Sequence, residues 1–249
     1  MKRIYILLLI IFVCPVFLQA QEAHHDTTYK NTIRINVTPI LVTSRLGSFT
    51  MGYERILNNR QSISANIGHL QLPTLITTKE GNPVEWISNL RNTGFVGSLD
   101  YRFYFKRNRY VIPDGLYWGP FITYYYFDNK AAIELFKNDV AQGRAEVQTY
   151  LSALMIGAQL GYQFVLGKRW TIDLILLGPG IGFYDLQMGI DADAQLEGDP
   201  EYLQGVYDAL VSIFPGADRL FDEQVIKQSG SSSFNGAGFR YVFQVGFRF

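Results

Sequence analysis

The sequence predicts an all-β protein: an eight-stranded antiparallel transmembrane β-barrel with long extracellular loops, the last of them partly helical. Three observations predict it. Eight segments of roughly ten residues alternate apolar with polar side chains, the period-two pattern of strands whose faces meet different surroundings. Short turns alternate with longer loops along the chain, as at the two ends of an outer-membrane barrel. The last segment is apolar and aromatic at every second position, up to the terminal Phe249.

Before the first strand comes MKRIYILLLIIFVCPVFLQA. Lys2 and Arg3 form a basic start, Ile4 to Phe17 an apolar stretch, and Ala20 a small residue for cleavage, so residues 1–20 read as a secretory signal peptide. The apolar run is shorter than the roughly 20 residues a helical span needs. Cys14 follows Phe12 and Val13 rather than small residues, which argues against a lipoprotein box. It is the only cysteine, so the mature chain is expected to have neither disulfides nor thiol chemistry. Stability must then come from hydrogen-bonded ladders and packing. Removing Lys2 and Arg3 from the 22 basic residues leaves 20 against 22 acidic ones, with no basic patch of the kind nucleic acid requires.

Residues 21–31 read as a disordered tail. His24-His25-Asp26 within it resembles a chelating run, but a tail gives adventitious binding rather than a structural metal site. No metal and no cofactor are expected. The barrel itself is expected over 32–249.

The first strand alternates Ile33, Ile35, Val37 and Leu41 against Arg34, Asn36 and Thr38, and a tight loop follows near Ser44 to Gly47. The second sets Phe49, Met51 and Tyr53 against Thr50, Gly52 and Glu54, then turns through Asn58-Asn59-Arg60. The third opposes Ile63, Ala65 and Ile67 to Ser62, Ser64, Asn66 and Gly68. The fourth sets Phe95, Leu99, Tyr101, Phe103 and Phe105 against Ser98, Asp100, Arg102 and Lys106, with a turn over Arg107 to Asp114. A fifth, Leu116 to Phe127, is aromatic on both faces, so its facing stays open. The sixth sets Leu154, Ile156, Ala158, Leu160, Tyr162 and Phe164 against Gly157, Gln159, Gly161 and Gln163, ending at Gly167-Lys168. The seventh, from Trp170 to Leu177, carries Asp173. The eighth, Gly238 to Phe249, puts Phe239, Tyr241, Phe243, Val245, Phe247 and Phe249 on one face, and Arg240, Gln244 and Arg248 on the other. It is expected to close the barrel against the strand beginning at Ile33. Phe249 reads as a terminal signal for the barrel assembly machinery.

Three longer loops, of roughly 23, 24 and 50 residues, fall on the side opposite the short turns. In the last, 186–236, Asp199-Pro200 followed by Tyr202, Val206, Ala209, Leu210 and Ile213 reads as an N-capped amphipathic helix. Ala131 to Val140 is a second helical candidate. Both are expected to pack over the barrel mouth or on each other, with a partner-binding or membrane-surface role as the alternative. Gly178-Pro179-Gly180-Ile181-Gly182 lacks a Walker lysine and reads as a kink or bulge near the rim.

With the apolar face toward lipid, the polar face lines the bore. Arg34, Glu54, Asp100, Arg102, Asp173, Arg240 and Arg248 then form an interior ion network, because a buried unpaired charge costs several kcal/mol. Gly52, Gly157, Gly161 and Gly246 leave room for the long side chains. Eight strands enclose a bore only just wide enough for side chains to fill, so a plugged interior is expected rather than a pore. For catalysis the candidate is His69, but Ser62 and Ser64 lie on the other face by parity.

Phe49-Thr50-Met51-Gly52-Tyr53-Glu54-Arg55 resembles the second strand of small outer-membrane barrels typical of Bacteroidota. Tyr101-Arg102-Phe103-Tyr104-Phe105, Gly115-Leu116-Tyr117-Trp118-Gly119-Pro120-Phe121, Gly161-Tyr162-Gln163-Phe164, Gly178-Pro179-Gly180 and Gly246-Phe247-Arg248-Phe249 are in keeping with that group, in the same order. The resemblance implies an outer-membrane barrel and transfers no catalytic residue. The reading is thus a non-enzymatic outer-membrane barrel with a structural or surface-interaction role. Its expected partners are outer-membrane lipid, the assembly machinery and a surface partner met through the loops. The alternatives are a lipid-modifying outer-membrane enzyme, using His69 or loop carboxylates, and a soluble exported β-barrel or sandwich that binds a ligand.

Overall fold

The computed structural model describes residues 29–38, 48–71, 84–105, 113–137, 140–192 and 229–249. Their strands are β1 (Asn31–Asn36), β2 (Phe49–Asn58), β3 (Gln61–Leu70), β4 (Val84–Tyr104), β5 (Gly115–Lys137), β6 (Val140–Leu166), β7 (Trp170–Leu177), β8 (Pro179–Ala192), β9 (Ser229–Phe239) and β10 (Val242–Arg248). Every pairing is antiparallel, and the sheet closes on itself through β1–β10 and β5–β6. β7 and β8 both pair with β6 and form one stave interrupted at Gly178. β9 and β10 form another, interrupted at Arg240 and Tyr241, where the Arg240 N–H donates to the Gly178 carbonyl at 2.8 Å. The ten strands are therefore the eight staves of a closed barrel.

Local chemistry explains the tight turns. In Asn58-Asn59-Arg60 the Asn58 carboxamide oxygen accepts the Arg60 N–H at 2.9 Å, mimicking a backbone turn. Gly167 opens the β6–β7 turn at φ 65°, a left-handed conformation that glycine takes without steric cost. These turns and Asp114 lie at one end of the barrel.

Several elements differ from the expectations. β1 stops at Asn36, whose Oδ1 accepts the Thr38 N–H at 3.0 Å and turns the chain; 39–47, with the expected first loop, lie outside the described residues. The tail does not extend to 31, because Asn31 exchanges backbone hydrogen bonds with Phe249. β4 begins at Val84, shortening the loop expected before it. The helix expected over Ala131 to Val140 is instead β-structure: β5 runs to Lys137 and β6 starts at Val140, in register from Gly115↔Gln163 to Lys137↔Val140 with one shift. A continuous ladder on both sides of β5 outweighs the weak local helical pattern. The loop expected over 186–236 shrinks from both ends, since β8 reaches Ala192 and β9 begins at Ser229. The helix expected from Asp199 and the signal over 1–20 lie outside the described residues.

β4, β5 and β6 contain 21, 23 and 27 residues. About ten suffice to cross a bilayer, so these strands, with β8 and β9, rise as a tall wall beyond β1, β2 and β3. The wall carries cross-strand ion pairs, Arg91–Asp128 at 2.9 Å and Lys130–Glu146 at 2.5 Å.

The two faces are inverted relative to a soluble protein. Ile33, Ile35, Met51, Ile67, Leu99 and Ile156 are exposed on the outside, whereas Arg34, Glu54, Arg102 and Asp173 are fully buried. Aromatic rings cluster at two levels of the outer surface. Near the turns, Phe103 stacks on Trp118 at 5.0 Å and Trp170 meets Phe247 edge-on at 5.4 Å. Toward the other end, Phe239 stacks on Tyr241 at 5.1 Å, and Phe49 and Phe95 are exposed. From Phe95 to Phe105 the rise is roughly 25 Å, at ~3.3 Å per residue and a tilt of ~40°.

Candidate functional site

Side chains from all eight staves converge in the bore and form two tiers. In the tier nearer the turns, Arg34 of β1 donates to Asp173 of β7 at 2.5 Å and to Ser64 of β3 at 2.5 Å. Arg102 of β4 donates to the same Asp173 oxygen at 2.7 Å, and Tyr117 of β5 donates to the other at 2.7 Å. Glu54 of β2 lies 3.6 Å from both arginines. It also accepts from Ser62 at 2.5 Å and from Gln163 Nε2 at 3.1 Å. Tyr104 Oη is 2.9 Å from Glu54 and 2.8 Å from Gln163 Oε1. The Arg102 guanidinium lies over the Tyr117 ring at 4.4 Å.

The second tier is built on Asp100 and Arg240, which form a direct ion pair. Arg240 also donates to Gln159 and Ser98, each at 3.3 Å, and its guanidinium faces the Phe121 ring at 5.0 Å. Asn66 donates to Ser98 at 3.0 Å and Asp100 at 3.1 Å, and accepts from Gln244 at 3.0 Å. Three arginines thus face three carboxylates across the two tiers. These charge-assisted bonds are the strong kind of hydrogen bond, and their low-dielectric surroundings make each partner costly to remove.

Close packing accommodates the long side chains. A Cβ at Gly246 of β10 would lie 2.7 Å from Arg34 Cγ and 2.9 Å from Thr32 Cγ2, so only glycine lets Arg34 pass over β10 to reach β7. Gly161 lies similarly against the Tyr117 ring and Gly52 against Asn66.

Six of the seven residues expected to form the network are brought together. Arg248 is not: it donates to the carbonyls of Lys168 at 3.4 Å and Tyr29 at 3.0 Å, near the turn end. There Asp114 accepts the Val165 N–H at 3.3 Å, and burial pushes its carboxyl above the ordinary aspartate range, partly offset by that bond and by Arg248. Gln159, Gln163, Tyr104 and Tyr117 were not singled out from sequence. Parity identifies Tyr104, which shares a face with Asp100 and Arg102. Tyr117 had no such signal, because Trp118 beside it is equally aromatic.

His69 is exposed at the far end of β3, on the outer face, while Ser62 and Ser64 are buried in the bore. The β-barrel wall separates them, so they form no catalytic group. His24-His25 lies outside the described residues.

Beyond the second tier, at the end remote from the short turns, the bore holds a cavity of about 280 Å³. Its lining includes Thr50, Val96, Thr123, Tyr125, Phe127 and Gln244, with Arg240 among them. Comparison with protein-family models, curated proteins and solved structures finds no match for this chain.

Proposed function

We propose that this protein is an outer-membrane β-barrel with a sealed bore and no catalytic activity, acting as a structural or surface-interaction element through its tall wall. The observation that carries the reading is the inverted polarity of the closed barrel. Its outer face is an apolar band between two levels of aromatic rings, matching the lipid-facing girdles of outer-membrane barrels. Its inside is polar and cross-linked by six charged side chains.

A soluble binding barrel would carry the opposite arrangement, with exposed polar positions and an apolar interior. Two tiers of side chains, buried and hydrogen-bonded to one another, fill the bore among the described residues, which argues against a diffusion pore. Short turns face the periplasm in such barrels, so the tall wall points outward from the cell. Its charged pairs Arg91–Asp128 and Lys130–Glu146 suit an aqueous surface.

Cell fractionation tests the location and gel migration tests the fold. The protein is expected in the outer-membrane fraction, with a band whose mobility changes on boiling. Recovery in the soluble periplasmic fraction overturns the reading. Proteoliposomes holding the protein are expected not to swell in arabinose, and swelling refutes the sealed bore.

A further inference from the structure

Exposed charge differs between the two ends of the barrel. On the tall wall, Arg91 pairs with Asp128 and Lys130 with Glu146. At the end carrying the short turns, Lys30, Arg55, Arg60, Lys168 and Arg169 are all exposed, and none forms an ion pair with a described residue. Outside the bore network, the described anions at that end are Asp114, half-buried and accepting the Val165 N–H, and the terminal carboxylate of Phe249. The cations follow the rim. Arg55 stands opposite Asn31 of β1, Lys30 precedes that asparagine, and the Arg169 carbonyl accepts the Arg248 N–H beside β10 at 2.7 Å. With strands ~4.8 Å apart, the path from β2 to β7 across β1 and β10 spans roughly 14 Å, so Arg55, Lys30 and Arg169 line one arc.

Depth decides what meets this arc. Along the outer face of β1 and β2, the exposed Ile33, Ile35 and Met51 give way to Asn31, whose Oδ1 accepts the Tyr53 hydroxyl at 2.7 Å and Arg55 at 3.4 Å. On β7 and β10, Trp170 meets Phe247, and the Arg169 guanidinium lies 5.6 Å from the Phe247 ring and 5.1 Å from that of Tyr29. Over this short stretch the outer surface passes from apolar through aromatic to cationic. A bilayer passes in the same order from hydrocarbon to headgroup. Cationic side chains whose stems lie on apolar or aromatic surface at that level keep their charged heads among the headgroups.

On the membrane reading above, we propose that this arc docks the phosphate headgroup of an anionic phospholipid in the leaflet facing the periplasm. Charge complementarity supplies the attraction, about fivefold in affinity for each cation near an anionic lipid surface. A soluble acidic partner suits the arc less well. Arg55 and Arg169 are held on the outer face by Asn31 and Phe247, where bilayer rather than solvent abuts the staves.

The test reconstitutes the protein in phosphatidylcholine bilayers holding the same minor fraction of a brominated lipid, either phosphatidylglycerol or phosphatidylcholine, whose bromines quench nearby tryptophan. Trp86→Phe with Trp118→Phe leaves Trp170, beside the arc, as the one tryptophan. A second probe replaces Trp170 by phenylalanine as well and carries Phe95→Trp, at the far aromatic level. At Trp170 the anionic lipid is expected to be preferred about tenfold or more over its zwitterionic counterpart, and the preference to vanish in ~1 M salt. The second probe is expected to show no preference. Arg55→Gln with Arg169→Gln is expected to reduce the preference at Trp170 about fivefold or more. Should that pair give no heat-modifiable band, Lys30→Gln with Lys168→Gln takes its place, since neither side chain makes a hydrogen bond among the described residues. Equal quenching by the two lipids, a preference at both probes, or one that the substitutions leave intact each overturns the proposal and leaves the barrel in its membrane. Absence of quenching by either lipid overturns the proposal and the membrane reading together.

Discussion

Arg34 donates to Asp173 over 2.5 Å although 139 residues separate them in sequence and β10 lies between their strands. The guanidinium crosses Gly246 to make the bond, so a single contact braces three adjacent staves at the barrel seam. Asp173 also receives Arg102 and Tyr117, so three staves donate to one carboxylate.

Asp173→Asn is therefore expected to destabilise the barrel by about 3–5 kcal/mol, because two buried arginines are left with Glu54 as their nearest carboxylate. Urea unfolding, followed by the fraction of heat-modifiable band, measures this. A shift worth less than about 1 kcal/mol would show that the pairs are not what holds the staves in register.

Gly246→Val places two methyl groups where Arg34, Thr32 and Thr171 already meet. Loss of the folded band, or a strongly lowered unfolding temperature, is expected. Gly189→Val, where a Cβ meets nothing within 4 Å, is expected to stay near the parent. Equal behaviour of the two variants would contradict the packing argument.

Removing 131–147 and joining Lys130 to Gln148 through Asn-Gly trims the tall wall at a paired position, with a turn suited to a two-residue hairpin. The barrel is expected to assemble with its unfolding temperature little changed, since both charged tiers lie nearer the short turns. Failure to assemble would show that the wall takes part in closing the barrel.

Phe249→Ala keeps the two backbone hydrogen bonds with Asn31 and removes only an exposed ring. Refolding into detergent is expected to proceed as for the parent, while assembly in cells falls. Equal loss in both settings would assign Phe249 a structural role instead.

The sequence made the outward and inward sets of β1, β2, β3, β4 and β10 legible, because one parity there is apolar and the other polar or small. It could not do so for β5, where Tyr117 turns inward to Asp173 and Trp118 turns outward. Stave heights were also hidden. Alternation weakens above the apolar band, so 131–137 presented no clear strand signal although β6 pairs with it as far as Lys137 and β4 as far as Leu135. The partners Gln159 and Gln163 were visible as inward residues but not as hydrogen-bonding ones, since register across non-adjacent staves decides which side chains meet.

The paired interruptions at Gly178 and at Arg240 and Tyr241 have a mechanical consequence. On the side of the short turns, hydrogen bonding runs around a hoop, and shearing one stave requires shearing all of them. Past the interruptions, β9 pairs only with β8 and Val84 to Thr93 of β4 only with β5 among the described residues. Five strands there form a ribbon with two margins, a cantilever anchored on the hoop. A load applied to the wall bends the ribbon first, and the tiers below keep their register.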